Sequence, residues 1–120
     1  MSGQFVISVA GSFPEKVKAT ASLYGTRMVT DAADSPHLLI PKIQGEVYLG
    51  FAAHDPYVED HVPATLKDAL EKNNVTFELE TFDDTEHGFC FPARPAYNKQ
   101  AAEHVWDNVF AMFARQLAPH

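Results

Sequence analysis

The sequence predicts an α/β fold built on three parallel strands with helices on both faces. Three observations predict it. Strand-like runs occupy residues 17–24, 45–52 and 75–82, set apart by helical or turn-rich segments. Two of these runs pass directly into polar loops with ionisable side chains, HDP after the second and DDTEHG after the third. A long amphipathic segment closes the chain. Strands separated by such crossover segments pair in parallel through right-handed connections, and parallel sheets are covered on both faces.

Each element has a local reason. The Ser2 hydroxyl can cap a helix, and Phe5, Val6, Val9 and Phe13 follow at helical spacing, which predicts a helix over residues 3–12 that Pro14 ends. Val17, Ala19, Ala21 and Leu23 alternate with more polar residues in the first strand, which Gly25 closes. Residues 26–41, rich in Asp, Ser and Pro, read as a loop with a brief helical turn over 36–40, a candidate wall for a binding site. The second strand, GEVYLGFA, delivers HDP at its end. A helix then starts near Asp60 with the stripe Val62, Leu66, Ala69 and Leu70, tolerates Pro63 only in its first turn, and stops at Asn73 and Asn74. In the third strand Val75, Phe77, Leu79 and Thr81 face one way, and Thr76, Glu78, Glu80 and Phe82 the other. From residue 96 to 117 the apolar stripe Ala101, Ala102, Val105, Trp106, Val109, Phe110, Phe113 and Leu117 predicts a final helix with this stripe as core.

At 120 residues the chain suits one domain, residues 1–120, with no repeat or low-complexity linker to divide it. Sixteen acidic residues against nine basic ones give a formal charge of -7, which argues against general affinity for nucleic acid or an anionic membrane. No apolar run approaches the ~20 residues of a membrane span. The first residues lack the pattern of a secretory signal, and Cys90 is the one cysteine, so the expected location is cytoplasmic. Three strands make a thin sheet, and an unpaired edge invites another strand. The chain therefore reads as half of a larger α/β unit, with a homodimer or the missing half as its expected partner.

The chemistry concentrates in DDTEHGFCFPARPAY, residues 83–97. His87 sits on a loop at a strand end, and an imidazole there is a candidate general base near neutral pH. Asp55, held in a turn by Pro56, is its candidate orienting acid on the neighbouring strand. Bare spacing favours a plainer reading, a turn-capping histidine and an Asp-Pro turn former. His54 reads as a loop side chain. Zinc held by His54, Asp55, His61 and His87 lacks any close ligand pair, so no metal or other cofactor is expected. Cys90 reads as a small packed side chain and Ser2 as a helix cap. Arg94 either grips a substrate carboxylate or pairs with surface acids.

The stretches MSGQFVISVAGSFPEKV, DSPHLL, HDPYV and EHGFCFPARPAY, with the final helix, resemble the C-terminal half of the dienelactone hydrolase family of α/β-hydrolases. The resemblance covers nearly all of the chain and implies a partial α/β-hydrolase fold. It implies Asp55 as triad acid, His87 as triad base, and hydrolysis of a small carboxylic ester or lactone. The family's nucleophile stands in a Gly-x-Cys-x-x-Gly elbow, or its serine equivalent, and Met1-Ser2-Gly3 matches the part that follows the Cys. The nucleophile is then expected one residue before Met1, and Met1 at the position whose backbone N–H helps bind the oxyanion. The chain alone is expected to be nearly inert. Lactone-hydrolysing members place an arginine nearer the histidine, where this chain has Cys90 and Phe91.

Overall fold

The computed structural model describes residues 3–117. The elements run in the order α1 (Gly3–Ser12), β1 (Ala19–Leu23), a 3₁₀ helix (Pro36–Lys42), β2 (Glu46–His54), α2 (Val62–Lys72), β3 (Phe77–Glu86) and α3 (Lys99–Leu117). The three strands form one parallel sheet in the order β1-β2-β3. Ser2 and Met1 lie outside the described residues.

The central strand β2 organises the interior. Its first seven residues are buried, as expected for a strand covered on both faces. Val47, Leu49 and Phe51 face Ile7 and Ala10 of α1, Ile40 of the 3₁₀ helix, and Leu66 and Leu70 of α2. Tyr48 and Ala52 face the other way, onto Ala102, Val105, Val109 and Met112 of α3. Helices therefore cover both faces of the sheet. Val75, Phe77 and Leu79 join the first cluster and Phe82 the second, as their alternation predicts.

Two faces differ from expectation. In α1 the large residues Phe5 and Val9 are exposed, as is Phe13 just past its end, while Gly3, Ile7, Ala10 and Gly11 are buried. Close approach explains the choice, since a Cβ on Gly11 would fall 2.6 Å from Leu39 Cβ. In α3 the buried stripe is Ala102, Val105, Val109 and Met112. Phe110 and Leu117 are exposed and Trp106 is half-buried, so the stripe is narrower than the apolar sequence suggests. The Phe110 ring stacks on Trp106 instead.

Polar groups on the α3 face of β3 find partners there. The Tyr48 hydroxyl and Asn108 Nδ2 both donate to Glu80 Oε1 at 3.0 Å, and His104 Nε2 lies 2.8 Å from Glu80 Oε2. Burial, and then the neighbouring Glu80 charge, raise the pKa of Glu78. At the other end of α3, Arg115 and Gln116 bind Glu46, and the Arg115 hydrogen bond lowers its carboxyl pKa.

Candidate active site

The site forms at the carboxyl ends of β2 and β3, where parallel sheets collect functional side chains. Asp55 follows the last residue of β2, and His87 the last residue of β3. His87 Nδ1 lies 2.7 Å from Asp55 Oδ2. The backbone N–H of Tyr57 donates to Asp55 Oδ1 at 2.9 Å, so both carboxylate oxygens are engaged in the turn that HDPY builds. The Asp55 side chain is 3 % exposed and the His87 side chain 21 %, which leaves the imidazole as the reachable member. A carboxylate at Nδ1 fixes that nitrogen as the donor. Nε2 is then the nitrogen available to take a proton.

Two tyrosines flank the imidazole edge-on, Tyr24 at a centroid distance of 4.9 Å and Tyr57 at 5.1 Å. Tyr24 ends the β1 side of the site with φ 45, a left-handed backbone that aromatic residues seldom adopt. Its hydroxyl is buried and, among the described residues, has no partner of hydrogen-bond geometry, although the Cys90 backbone lies near it. Burial, more than anything else, pushes its pKa up to about 12, so it stays protonated.

A cleft of about 640 Å³ opens beside the pair, lined by Gln4, Thr26, Arg27, Tyr57, His87 and Arg94. Gly88 has φ +92, a left-handed backbone that favours glycine, and the Arg94 stem lies alongside it, 3.4 Å from where a Cβ would stand. The cleft therefore carries two guanidinium groups. Among the described residues neither Arg27 nor Arg94 has a carboxylate within ion-pair distance. The loop bearing Arg27 is tied down by Ser35, whose Oγ accepts the Thr30 N–H at 2.8 Å and lies 2.6 Å from His37 Nδ1.

The other candidates separate from this site. His54 is exposed at the end of β2, paired in the ladder with Glu86. His61 is exposed and lies 3.5 Å from Glu59. Among the described residues no group of three or more His, Cys, Asp or Glu side chains could hold a metal ion. Cys90 is 1 % exposed, and burial pushes its thiol up to about 12, which disfavours the thiolate. Met1 lies outside the described residues. Sequence reasoning missed Tyr24, Tyr57 and Arg27. The available signals were Tyr24 directly before the strand-closing Gly25, and Tyr57 two residues after Asp55.

A parallel sheet with helices on both faces and this pair at adjoining strand ends is a partial α/β-hydrolase fold. The chain belongs to the dienelactone hydrolase family, whose sequence model matches residues 1–117. It is 30% identical over 118 residues to a Synechocystis sp. protein that carries the name carboxymethylenebutenolidase, covering 96% of this chain and 48% of that one. A Klebsiella pneumoniae structure assigned as a dienelactone hydrolase superposes with a TM-score of 0.82 at 23% identity, over 94% of this chain and 48% of that one. A dienelactone hydrolase-like promiscuous phosphotriesterase from metagenomic libraries gives 0.77 at 19% identity, over 95% and 48%. The chain thus spans about half the length of the relatives it matches.

Proposed function

We propose that this chain supplies the acid and base of a carboxylic ester or lactone hydrolase of dienelactone hydrolase type, with the nucleophile on polypeptide outside these 120 residues. The 2.7 Å contact between Asp55 and His87 carries the reading. In the reaction, His87 Nε2 takes the proton of a cysteine thiol or serine hydroxyl as its sulfur or oxygen bonds to the carbonyl carbon. Asp55 stabilises the imidazolium. The tetrahedral intermediate then expels the alkoxide, which leaves with the proton from His87. Water, deprotonated by the same nitrogen, attacks the acyl-enzyme; the second tetrahedral intermediate breaks its bond to the cysteine sulfur or serine oxygen, which takes the proton back from His87 as the acid leaves. The N–H of Met1 is the proposed oxyanion donor, and Arg94, with Arg27 beside it, the proposed contact for polar groups of the substrate. The single buried cysteine suits a cytoplasmic protein. Among the described residues no helix is long and apolar enough to cross a membrane.

The test is a chimera carrying the first half of the Synechocystis relative ahead of Met1, assayed with a p-nitrophenyl ester. The chimera is expected to turn over and the 120-residue chain to be inert. Full activity in the His87→Ala chimera would overturn the assignment.

A second reading is a non-catalytic α/β module that associates through its sheet edge. One observation favours it: among the described residues β1 pairs on one side only, and Phe5 and Val9 of α1 stand exposed beside it, around a groove that also includes Ala19 and Ala21. Solution mass that rises with concentration, and falls back in Val9→Asp, supports self-association. A concentration-independent monomer excludes it.

A further inference from the structure

The contact between Asp55 and His87 depends on an irregularity in the ladder. Along most of the β2 and β3 pair, partners differ by 30 positions, from Val47 and Phe77 to Ala52 and Phe82. At His54 and Glu86 they differ by 32. Ala53 alone on β2 thus stands against Asp83, Asp84 and Thr85 on β3. In an unbroken ladder the residue level with Asp55 would be Thr85. The two additional residues bring His87 level instead, and because two is one full side-chain period, every later side chain keeps its face.

Such a bulge leaves backbone groups without their ladder partners. Here one side chain takes them. The Thr85 hydroxyl donates to the Phe82 carbonyl at 2.6 Å and accepts the Ala53 N–H at 3.3 Å, closing the bulge within β3 and tying it across to β2. Thr85 is 1 % exposed, so its hydroxyl is turned to these two partners rather than to solvent. Asp84, at φ 55, makes the bend between them.

We infer that Thr85 is a positioning residue: its hydroxyl holds the two-residue shift that sets His87 against Asp55. Its hydroxyl bonds to the backbone of Phe82 and Ala53 rather than to the imidazole, it is not among the residues that line the cleft, and it acts through the strand. The inference rests on the proposed role of the pair, and extends it to a residue that is otherwise an unremarkable strand threonine.

The test needs no catalysis and uses the chain as it is. Long-range proton–nitrogen NMR of labelled protein reports which nitrogen of neutral His87 bears hydrogen, and amide exchange reports Ala53. Wild type is expected to show the Nδ1–H tautomer that Asp55 imposes, with Ala53 protected. Thr85→Val keeps the shape and removes the hydroxyl; Ala53 exchange should accelerate about tenfold or more, and His87 should shift towards the Nε2–H form that free imidazole prefers. Thr85→Ser should restore both. An unchanged tautomer and unchanged Ala53 exchange in a folded Thr85→Val protein would overturn the inference. If Thr85→Val does not fold, Thr85→Ala replaces it, and equal tautomer patterns in the Ser and Ala variants overturn it. A wild type without the Nδ1–H form instead refutes the Asp55 and His87 reading itself, so the two failures are distinct.

Discussion

His87 Nδ1 stands 2.7 Å from Asp55 Oδ2, each residue placed one step past the end of its strand. The neighbouring Tyr57 N–H on Oδ1 keeps the carboxylate from turning away. In the chimera that carries a nucleophile, Asp55→Asn should lower kcat on the order of 10⁴-fold, because an amide in this place no longer selects the productive tautomer. His87→Ala should cost on the order of 10⁶. Steady-state turnover of the p-nitrophenyl ester checks both.

Cys90 should behave as a packing residue. With its thiol buried and pushed up to about 12, iodoacetamide near pH 8 should leave the folded chain unmodified and label it fully in denaturing guanidinium. Mass spectrometry reads the difference. Labelling of the folded chain within minutes would show a mobile loop around His87.

Glu46 and Glu78 should respond to pH in opposite senses. The folded pKa of Glu46 is depressed, so its contribution is present above the ordinary value of 4.5 and lost as pH falls through the folded value. Arg115→Gln should therefore lower the urea midpoint near pH 7 and change it little once Glu46 is protonated. The folded pKa of Glu78 is raised, so its charge is destabilising above that value and harmless below 4.5. Glu78→Gln should raise stability near pH 7 by on the order of 0.5 kcal/mol, a solvent-screened magnitude, and the gain should vanish by about pH 4.

Gly25 should tolerate no side chain. A Cβ there would fall 2.2 Å from Ser22 Oγ and 2.9 Å from Gly3 Cα, against groups too short to swing aside. Gly25→Ala should cost about 2 kcal/mol by overpacking, seen as a lower urea midpoint, while an exposed change such as Lys67→Ala should not.

Strand and helix order was legible because each element carries its own periodicity, and the two site residues because each follows a strand and sits in a turn-forming motif. The bulge was not. Asp83, Asp84 and Thr85 read as an acidic turn ending β3, whereas the strand continues through them to Glu86. Their place in the bulge depends on the Thr85 bond to Ala53, a partner 32 residues away. The existence of helix α1 was legible but its buried face was not: Phe5 and Val9 have the greater hydrophobicity, but contact at the Gly11 and Leu39 crossing selects for smallness. Arg27 was hidden because only the fold returns the loop after β1 to the His87 cleft.

The pairing of acid and base lies wholly within residues 46–87, on two strands that share a ladder. If Asp55 and His87 act as proposed, an engineer dividing a hydrolase of this type ahead of α1 would keep acid and base together on one piece. Fused to two proteins under study, such pieces make a complementation reporter in which a fluorogenic ester lights up on docking, without either strand having to search for its alignment.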